Sequence, residues 1–90
     1  MAEGIAVLGG GGHAKVVIGV LQSLGMPIAG VFDDDRSKVG ARILDIPIVG
    51  TLSDFDRSPG RAVLAIGDNA SRKRAAARPA QWVTLVHERA

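Results

Sequence analysis

Apolar residues along the chain fall into short runs that stop at glycine, proline or aspartate. Residues 5–8 (Ile-Ala-Val-Leu) form the first run and end at four consecutive glycines, which predicts a buried parallel strand. Gly25 and Pro27 end the segment that follows, because glycine favours the turn after a helix and proline cannot continue it. Within that segment the apolar positions have the spacing of one helix face: Val16, Val17, Val20, Leu21 and Leu24.

The next apolar runs predict a second strand at 28–32 and a third buried strand at 62–66. Because a helix joins the first two strands within about thirty residues, they form a βαβ unit. Between the second and third strands, the polar residues 34–42 predict a loop. Residues 46–49 predict a short edge strand, since Pro47 has no N–H to donate to a strand ladder.

Three further elements complete the pattern. In chain order they are a short helix from Thr51 to Phe55, a helix that starts at a cap on Asn69 or Ser71 and runs through Arg78, and a strand at 83–86. Asp54 stands three residues after Thr51, as in a capping box. Strands that alternate with helices predict the α/β class, here a small Rossmann-like parallel sheet flanked by helices, in one domain over residues 1–90.

Composition narrows the class of protein. Apolar residues make up 47% of the chain and charged residues 22%, which is typical of a globular domain. There is no cysteine, so a disulfide scaffold and a cysteine zinc site are excluded, and we expect a reducing, cytoplasmic location. No basic leader and no apolar stretch of membrane length is present, so we expect no membrane partner. The net charge of +2 and the scarcity of aromatic residues argue against nucleic acid as a partner.

Four glycines connect the first strand to the first helix. The segment from Gly9 to Ala14 fits the pattern G-x-G-x-x-A, and its position between a strand and a helix strengthens the match. Glycines allow a tight turn and let a ligand approach without a Cβ in the way. The N–H groups and the positive dipole end of the helix favour a phosphate or diphosphate. We therefore predict phosphate binding at Gly9, Gly11 and Gly12; the alternative is a tight turn without a ligand.

Polar residues also follow the second and third strands. Asp33 and Asp34 can accept hydrogen bonds from ribose hydroxyls or a base N–H, and because carboxylates repel phosphate they should mark the nucleoside end. Gly67 and Asn69 follow the third strand, and the carboxyl ends of parallel strands meet at one crevice. The alternatives are a solvated acidic turn for the aspartates and a helix cap for Asn69.

His13 is the one histidine in the candidate site, and we predict that it contacts the ligand as a phosphate donor. No second catalytic group stands at an interpretable spacing from it, so we predict no catalytic residue and no metal site in this chain. Arg72 and Lys73 could also face the ligand, although a solvated helix surface is the more common explanation for such residues.

The ordered set of motifs resembles the N-terminal domain of bacterial sugar acetyltransferases of the PglD/NeuD type, which acetylate UDP-linked aminosugars or sialic acids. The resemblance spans essentially all ninety residues. It is carried by Val7–Val17, by Phe32-Asp33-Asp34-Asp35, by Ala65-Ile66-Gly67-Asp68-Asn69 with Arg72-Lys73, and by Leu85-Val86-His87.

The resemblance implies that this domain holds a UDP-linked sugar. By the same resemblance, Gly11, Gly12 and His13 lie at the phosphates, Asp33 and Asp34 serve the nucleoside, and Gly67 and Asn69 line the pocket.

Enzymes of this family continue into a left-handed β-helix that forms a homotrimer, binds acetyl-CoA and supplies the catalytic histidine. The chain stops three residues after His87, which matches the junction histidine of the family and not the catalytic one. We therefore expect a truncated or excised substrate-binding half, a monomer or weak oligomer that binds without turnover and takes up no acetyl-CoA by itself.

Two other function classes fit parts of the pattern. An NAD-binding module of an oxidoreductase or regulator would use the same glycine motif and late aspartate, but the chain is short for a full dinucleotide fold. A non-enzymatic interaction domain with a vestigial pocket would show no nucleotide preference.

Overall fold

The computed structural model describes residues 4–66 and 69–83, which form a sheet with helices on both faces. Its strands are β1 (Ile5–Leu8), β2 (Ile28–Phe32), β3 (Arg42–Ile43), β4 (Ile46–Gly50), β5 (Arg61–Leu64) and β6 (Gln81–Trp82). Its helices are α1 (Gly12–Ser23), α2 (Leu52–Arg57) and α3 (Asn69–Ala76), and a single 3-10 turn covers Arg36–Lys38. The α/β class and the Rossmann-like arrangement predicted from the sequence are confirmed.

The strands are arranged in the order β3-β4-β2-β1-β5-β6. All neighbouring pairs are parallel except β3 and β4, which form an antiparallel hairpin. In the centre of the sheet, Val7 aligns with Val31 on one side and with Val63 on the other. The first strand of the chain is therefore a central strand, paired on both sides.

Alternate residues of β1 face two separate cores. Ile5 and Val7 pack with the buried face of α1, whereas Ala6 and Leu8 pack with Leu52 and Phe55 of α2 and its neighbours. This explains why β1 is apolar throughout, since a parallel strand covered on both faces has no solvent side.

The positions of the helices create a crevice in the sheet. The chain leaves β1 through α1 on one face to reach β2, whereas α2 precedes β5 on the other face. The connection that leaves β1 and the connection that enters β5 therefore lie on opposite faces of the sheet. In open α/β sheets, ligands bind outside the carboxyl ends of two neighbouring strands whose connections separate in this way.

Helix α2 has the capping box predicted from the sequence. The Thr51 hydroxyl accepts a hydrogen bond from the Asp54 N–H at 3.3 Å, and the Asp54 carboxylate accepts one from the Thr51 N–H at 2.8 Å. The backbone N–H of Thr51 holds the pKa of Asp54 below its ordinary value. These contacts fix the start of α2 next to the crevice.

Several boundaries differ from the sequence-based predictions. The loop predicted at 34–42 contains the 3-10 turn and the first residue of β3, so β3 and not β4 forms the edge. Because β3 has only two residues and its turn contains no glycine, the usual hairpin signals are missing. Instead, Leu44 and Asp45 adopt the positive φ values of 49° and 68° that the turn requires.

The carboxyl-terminal elements also shift. Helix α3 ends at Ala76, two residues before the predicted end, and its first helical residue is Asn69, so Ser71 lies inside the helix and not at its start. The final strand begins at Gln81, two residues before the predicted start, while 84–86 lie outside the described residues.

Within the described part of the chain, no helix is long and apolar enough to cross a membrane.

Candidate functional site

A cleft of about 630 Å³ lies at the carboxyl ends of β1, β2 and β5. It is lined by Gly9, Gly10, Gly11, Gly12, His13, Asp33, Asp34, Leu52, Ala65, Ile66, Arg74, Ala75 and Arg78. Residues that are far apart in the sequence thus meet in one place, as the strand topology predicted. The volume is in the range of small-molecule binding sites in proteins.

The first two glycines of the loop are packed against the rest of the domain. Gly9 has a φ of +118°, and a Cβ there would lie 2.8 Å from the Ala65 carbonyl oxygen. A Cβ on Gly10 would lie 2.7 Å from the Asp33 Oδ2 atom. A larger residue at either position would collide with the protein itself, so the fold alone accounts for these two glycines.

The next two glycines have no such neighbours. A Cβ on Gly11 or Gly12 would have no atom within 4 Å, and neither residue has a positive φ. Both are exposed and line the cleft. Neither the backbone conformation nor the packing of the described residues requires glycine here, which favours a function that needs close approach of another molecule.

Helix α1 begins at these open glycines. Gly11 is the N-cap residue, no side chain caps the helix, and its first turn contains no acidic residue. Backbone N–H groups in the first turn of a helix lack intrahelical acceptors, and the helix dipole adds partial positive charge there. His13 is exposed in this turn and lines the cleft. The start of α1 is therefore suited to bind an anion.

Asp33 is connected to the glycine loop. Its side chain is buried, and Oδ2 accepts a hydrogen bond from the Gly10 N–H at 2.6 Å while Oδ1 accepts one from the Asp35 N–H at 2.7 Å. Lys38 Nζ lies 3.8 Å from Oδ2. Asp33 thus lies in the cleft wall as predicted, but it also holds the loop after β1 against the end of β2, a role that the sequence analysis missed.

The two aspartates that follow differ from Asp33. Asp34 is exposed and lines the cleft. Asp35 is also exposed but accepts hydrogen bonds from the Ser37 hydroxyl at 2.6 Å and the Ser37 N–H at 3.0 Å. The Ser37 hydroxyl, followed by its N–H, lowers the pKa of Asp35. Asp35 therefore starts the 3-10 turn, and Asp34 is the exposed carboxylate at the rim of the cleft.

Helix α3 and the turn after it contribute residues that the sequence analysis did not name. Arg74, Ala75 and Arg78 line the cleft, whereas Arg72 and Lys73 are exposed and lie outside its lining. The orientation of α3 follows from Ala75, which is only 2% exposed. Because Ala75, Ala76 and Ala77 are consecutive, the sequence pattern alone did not reveal which side of this helix is buried.

The third segment contains two more predicted site residues, Asn69 and Gly67. Asn69 is exposed at the start of α3 and is absent from the cleft lining. Gly67 lies outside the described residues, so its predicted role remains a prediction. No group of three or more potential metal ligands occurs among residues 4–66 and 69–83.

The parallel sheet, with a crevice where its connections change faces, defines a doubly wound α/β domain. The uncapped, glycine-rich start of α1 next to an acidic rim is a candidate phosphate site. Comparison with known proteins gives the family. The family model described as the PglD N-terminal domain matches residues 4–78, and the chain belongs to this family. The family resemblance stated from the sequence motifs is confirmed.

Solved structures of perosamine N-acetyltransferase from Caulobacter crescentus are similar to this chain. Two mutants of that enzyme, each in complex with CoA and GDP-perosamine, are 35% identical with a TM-score of 0.69, covering 84% of this chain and 37% of theirs. PerB from the same organism, in complex with the same two molecules, has a TM-score of 0.68 at the same identity. The chain thus spans little more than a third of these proteins. No sequence match to a curated protein is found.

Proposed function

We propose that this chain is the nucleotide-sugar-binding domain of an acetyl-CoA-dependent sugar acetyltransferase. The observation that carries the proposal is the pair Gly11 and Gly12, which border the cleft at the uncapped start of α1 and have no packing reason to be glycine. Membership of the PglD N-terminal domain family supports the same assignment.

In the proposed complex the diphosphate lies at the start of α1. The N–H groups of Gly12 and His13 donate to phosphate oxygens, and the His13 ring donates a further hydrogen bond. Asp34 accepts hydrogen bonds from the nucleoside at the rim of the cleft. Asp33 acts mainly through the loop, because its two carboxylate oxygens already accept hydrogen bonds from Gly10 and Asp35.

Uridine is the nucleoside that we propose first, from the family resemblance of the sequence. Guanosine is the second candidate, because the similar Caulobacter structures contain GDP-perosamine. Both carriers have a ribose and a diphosphate, so the two candidates share the contacts at the start of α1 and differ only at the nucleoside end.

We assign acetyl transfer to a part of the parent enzyme beyond these residues. The similar structures contain CoA, which supports acetyl-CoA as the donor in the parent. We further propose a homotrimeric, cytoplasmic parent that acts in bacterial surface-glycan, sialic-acid or aminosugar biosynthesis. The residues described here supply substrate binding, and no catalytic step is assigned to them.

Calorimetric titration of the ninety-residue chain tests the proposal. UDP, GDP, their N-acetylglucosamine and mannose conjugates, NAD and the free nucleosides are the ligands to be compared. We expect binding of at least one nucleoside diphosphate, and weaker binding of the matching nucleoside, because the nucleoside lacks the phosphates. Tight binding of NAD together with indifference to UDP and GDP would favour the dinucleotide-binding alternative. Absence of heat with every ligand at millimolar concentration would contradict the proposal.

A further inference from the structure

Two arginines of the cleft wall have no counterpart among the predicted ligand residues. Arg74 and Arg78 line the cleft on either side of Ala75, the buried residue of α3. The Arg78 N–H donates to the Ala75 carbonyl at 3.1 Å, in the turn that follows the last residue of α3, Ala76. Lys73, which precedes Arg74 in α3, is exposed and does not line the cleft.

The position of Arg78 is fixed by α2. Its Nη1 atom forms an ion pair with the Asp56 carboxylate and donates to the Leu52 carbonyl oxygen at 3.4 Å. Leu52 is itself part of the cleft lining. Arg78 therefore joins the turn after α3 to α2. Because these contacts hold the side chain at the border of the cleft before any ligand arrives, less side-chain entropy is lost when Arg78 binds a ligand.

One donor of Arg78 has no acceptor within the described part of the chain. The Nε atom is buried and makes no hydrogen bond there. Buried donors without a partner are uncommon in native proteins, and an acceptor from a bound molecule is one physical explanation. The side chain as a whole is 25% exposed, and Arg78 is part of the cleft lining.

The described cleft lining contains the carboxylates of Asp33 and Asp34 as well as the two arginines. The carboxylate of Asp33 is already bonded to two backbone N–H groups and lies near Lys38. A planar guanidinium with several donors matches phosphate oxygens better than other side chains do. The α3 wall thus offers cationic donors, while the start of α1 offers backbone N–H groups.

We propose that Arg74 and Arg78 bind the diphosphate from the α3 side and make the cleft selective for nucleoside diphosphates over nucleoside monophosphates. The inference rests on the proposed function and adds a specificity determinant to it. The start of α1 contacts one phosphate, and the arginines contact the second, so a monophosphate loses the arginine contacts.

The test compares Arg74→Gln with Lys73→Gln, which removes the same charge from the neighbouring position on the exposed side of α3. UDP, UMP and uridine are titrated into both variants and the wild type, and the guanosine series is used if the wild type prefers GDP. We expect Arg74→Gln to lose roughly tenfold in affinity for the diphosphate and little for the nucleoside. The ratio of diphosphate to monophosphate affinity should fall with it, whereas Lys73→Gln should keep the wild-type ratio.

Arg78→Lys gives a second measurement, because lysine can keep the ion pair with Asp56 but lacks the guanidinium donors. We expect an unchanged melting temperature and a severalfold weaker binding of the diphosphate. If the wild type binds UDP or GDP and both arginine variants bind it equally well, the arginine proposal is overturned and the proposed function stands. If the wild type binds neither diphosphate, both proposals fall.

Discussion

The glycine loop has two halves, Gly9-Gly10 and Gly11-Gly12, and they differ in whether the surrounding structure requires glycine. Gly9 and Gly10 lie against Ala65 and Asp33, where a single methyl group would collide with the protein. Gly11 and Gly12 border open space in the cleft. The first half is explained by folding and the second half is not.

This difference separates two explanations that the motif alone cannot separate. A tight strand-to-helix turn without a ligand would require glycine where φ is positive or where the backbone packs closely, as at Gly9. It would not require glycine at the first helical position, where other residues are more stable by roughly 0.5–1 kcal/mol. Glycine at the two open positions therefore supports the proposal that a molecule approaches the backbone there.

The largest expected effect is loss of stability in Gly9→Ala. The new Cβ would meet the backbone oxygen of Ala65, and the residue would keep a φ of +118°, so we expect a loss on the order of 3 kcal/mol in the free energy of unfolding. Urea denaturation measures this change.

Gly25→Ala is the control, because Gly25, just beyond the far end of α1, also has a positive φ, +70°, but a Cβ there would have no atom within 4 Å. We expect a loss of about 1 kcal/mol there. Equal losses in the two variants would show that close contact at Gly9 is unimportant.

The second effect concerns the support of the loop by Asp33. Asp33→Ala removes the acceptor of the Gly10 N–H, so we expect a loss of about 2 kcal/mol in stability. Because the loop itself is then disturbed, affinity for both UDP and inorganic diphosphate should fall. Unfolding and calorimetry on the same variant measure the two changes.

Asp34→Ala is the matched control at the neighbouring, exposed carboxylate. We expect a change in stability within about 0.5 kcal/mol and weaker binding of UDP but not of inorganic diphosphate. If Asp33→Ala behaved in the same way as Asp34→Ala, the supporting role of Asp33 would be wrong.

Gly12→Ala is expected to change stability less than Gly9→Ala or Asp33→Ala but to weaken binding of the diphosphate. The methyl group enters open space in the cleft at the start of a helix, so stability should rise by up to about 1 kcal/mol. Affinity for the diphosphate should fall roughly tenfold, because the methyl group stands where the phosphate approaches.

Gly19→Ala is the control for that result, since Gly19 is another glycine of α1 with open space at its Cβ. We expect a similar gain in thermal stability without a change in affinity. Affinity that stays at the wild-type value in Gly12→Ala would refute the functional explanation of the open glycines.

The sequence was sufficient for the order of elements apart from β3 and the 3-10 turn, and for the glycine and aspartate part of the cleft. Buried parallel strands are recognisable as continuous apolar runs, and the rule that ligands lie at strand carboxyl ends places Gly9–His13 and Asp33–Asp34 together. The capping box of α2 was also readable, because it depends only on Thr51 and Asp54, three residues apart.

The remaining features depend on tertiary contacts. The turn at Leu44 and Asp45 has positive φ without glycine, so local chemistry gave no sign of the β3–β4 hairpin. The side of α3 that faces the cleft is set by the burial of Ala75, and a short basic helix has no apolar stripe from which to predict it. The sequence analysis therefore weighed Arg72 and Lys73, with a solvated surface as the more common explanation, and did not name Arg74 and Arg78, which the structure brings to the cleft.

The most direct test of the central claim is a titration of the ¹⁵N-labelled chain with UDP, and with GDP in parallel, followed by the backbone amide signals in NMR spectra. Hydrogen bonding to phosphate should move the amide signals of Gly11, Gly12 and His13 more than those of any other residues in α1, and inorganic diphosphate should move the same signals. Saturable binding that leaves these three amides unmoved, or that shifts residues at the opposite end of the sheet such as Gly4 and Gly60, would contradict the account.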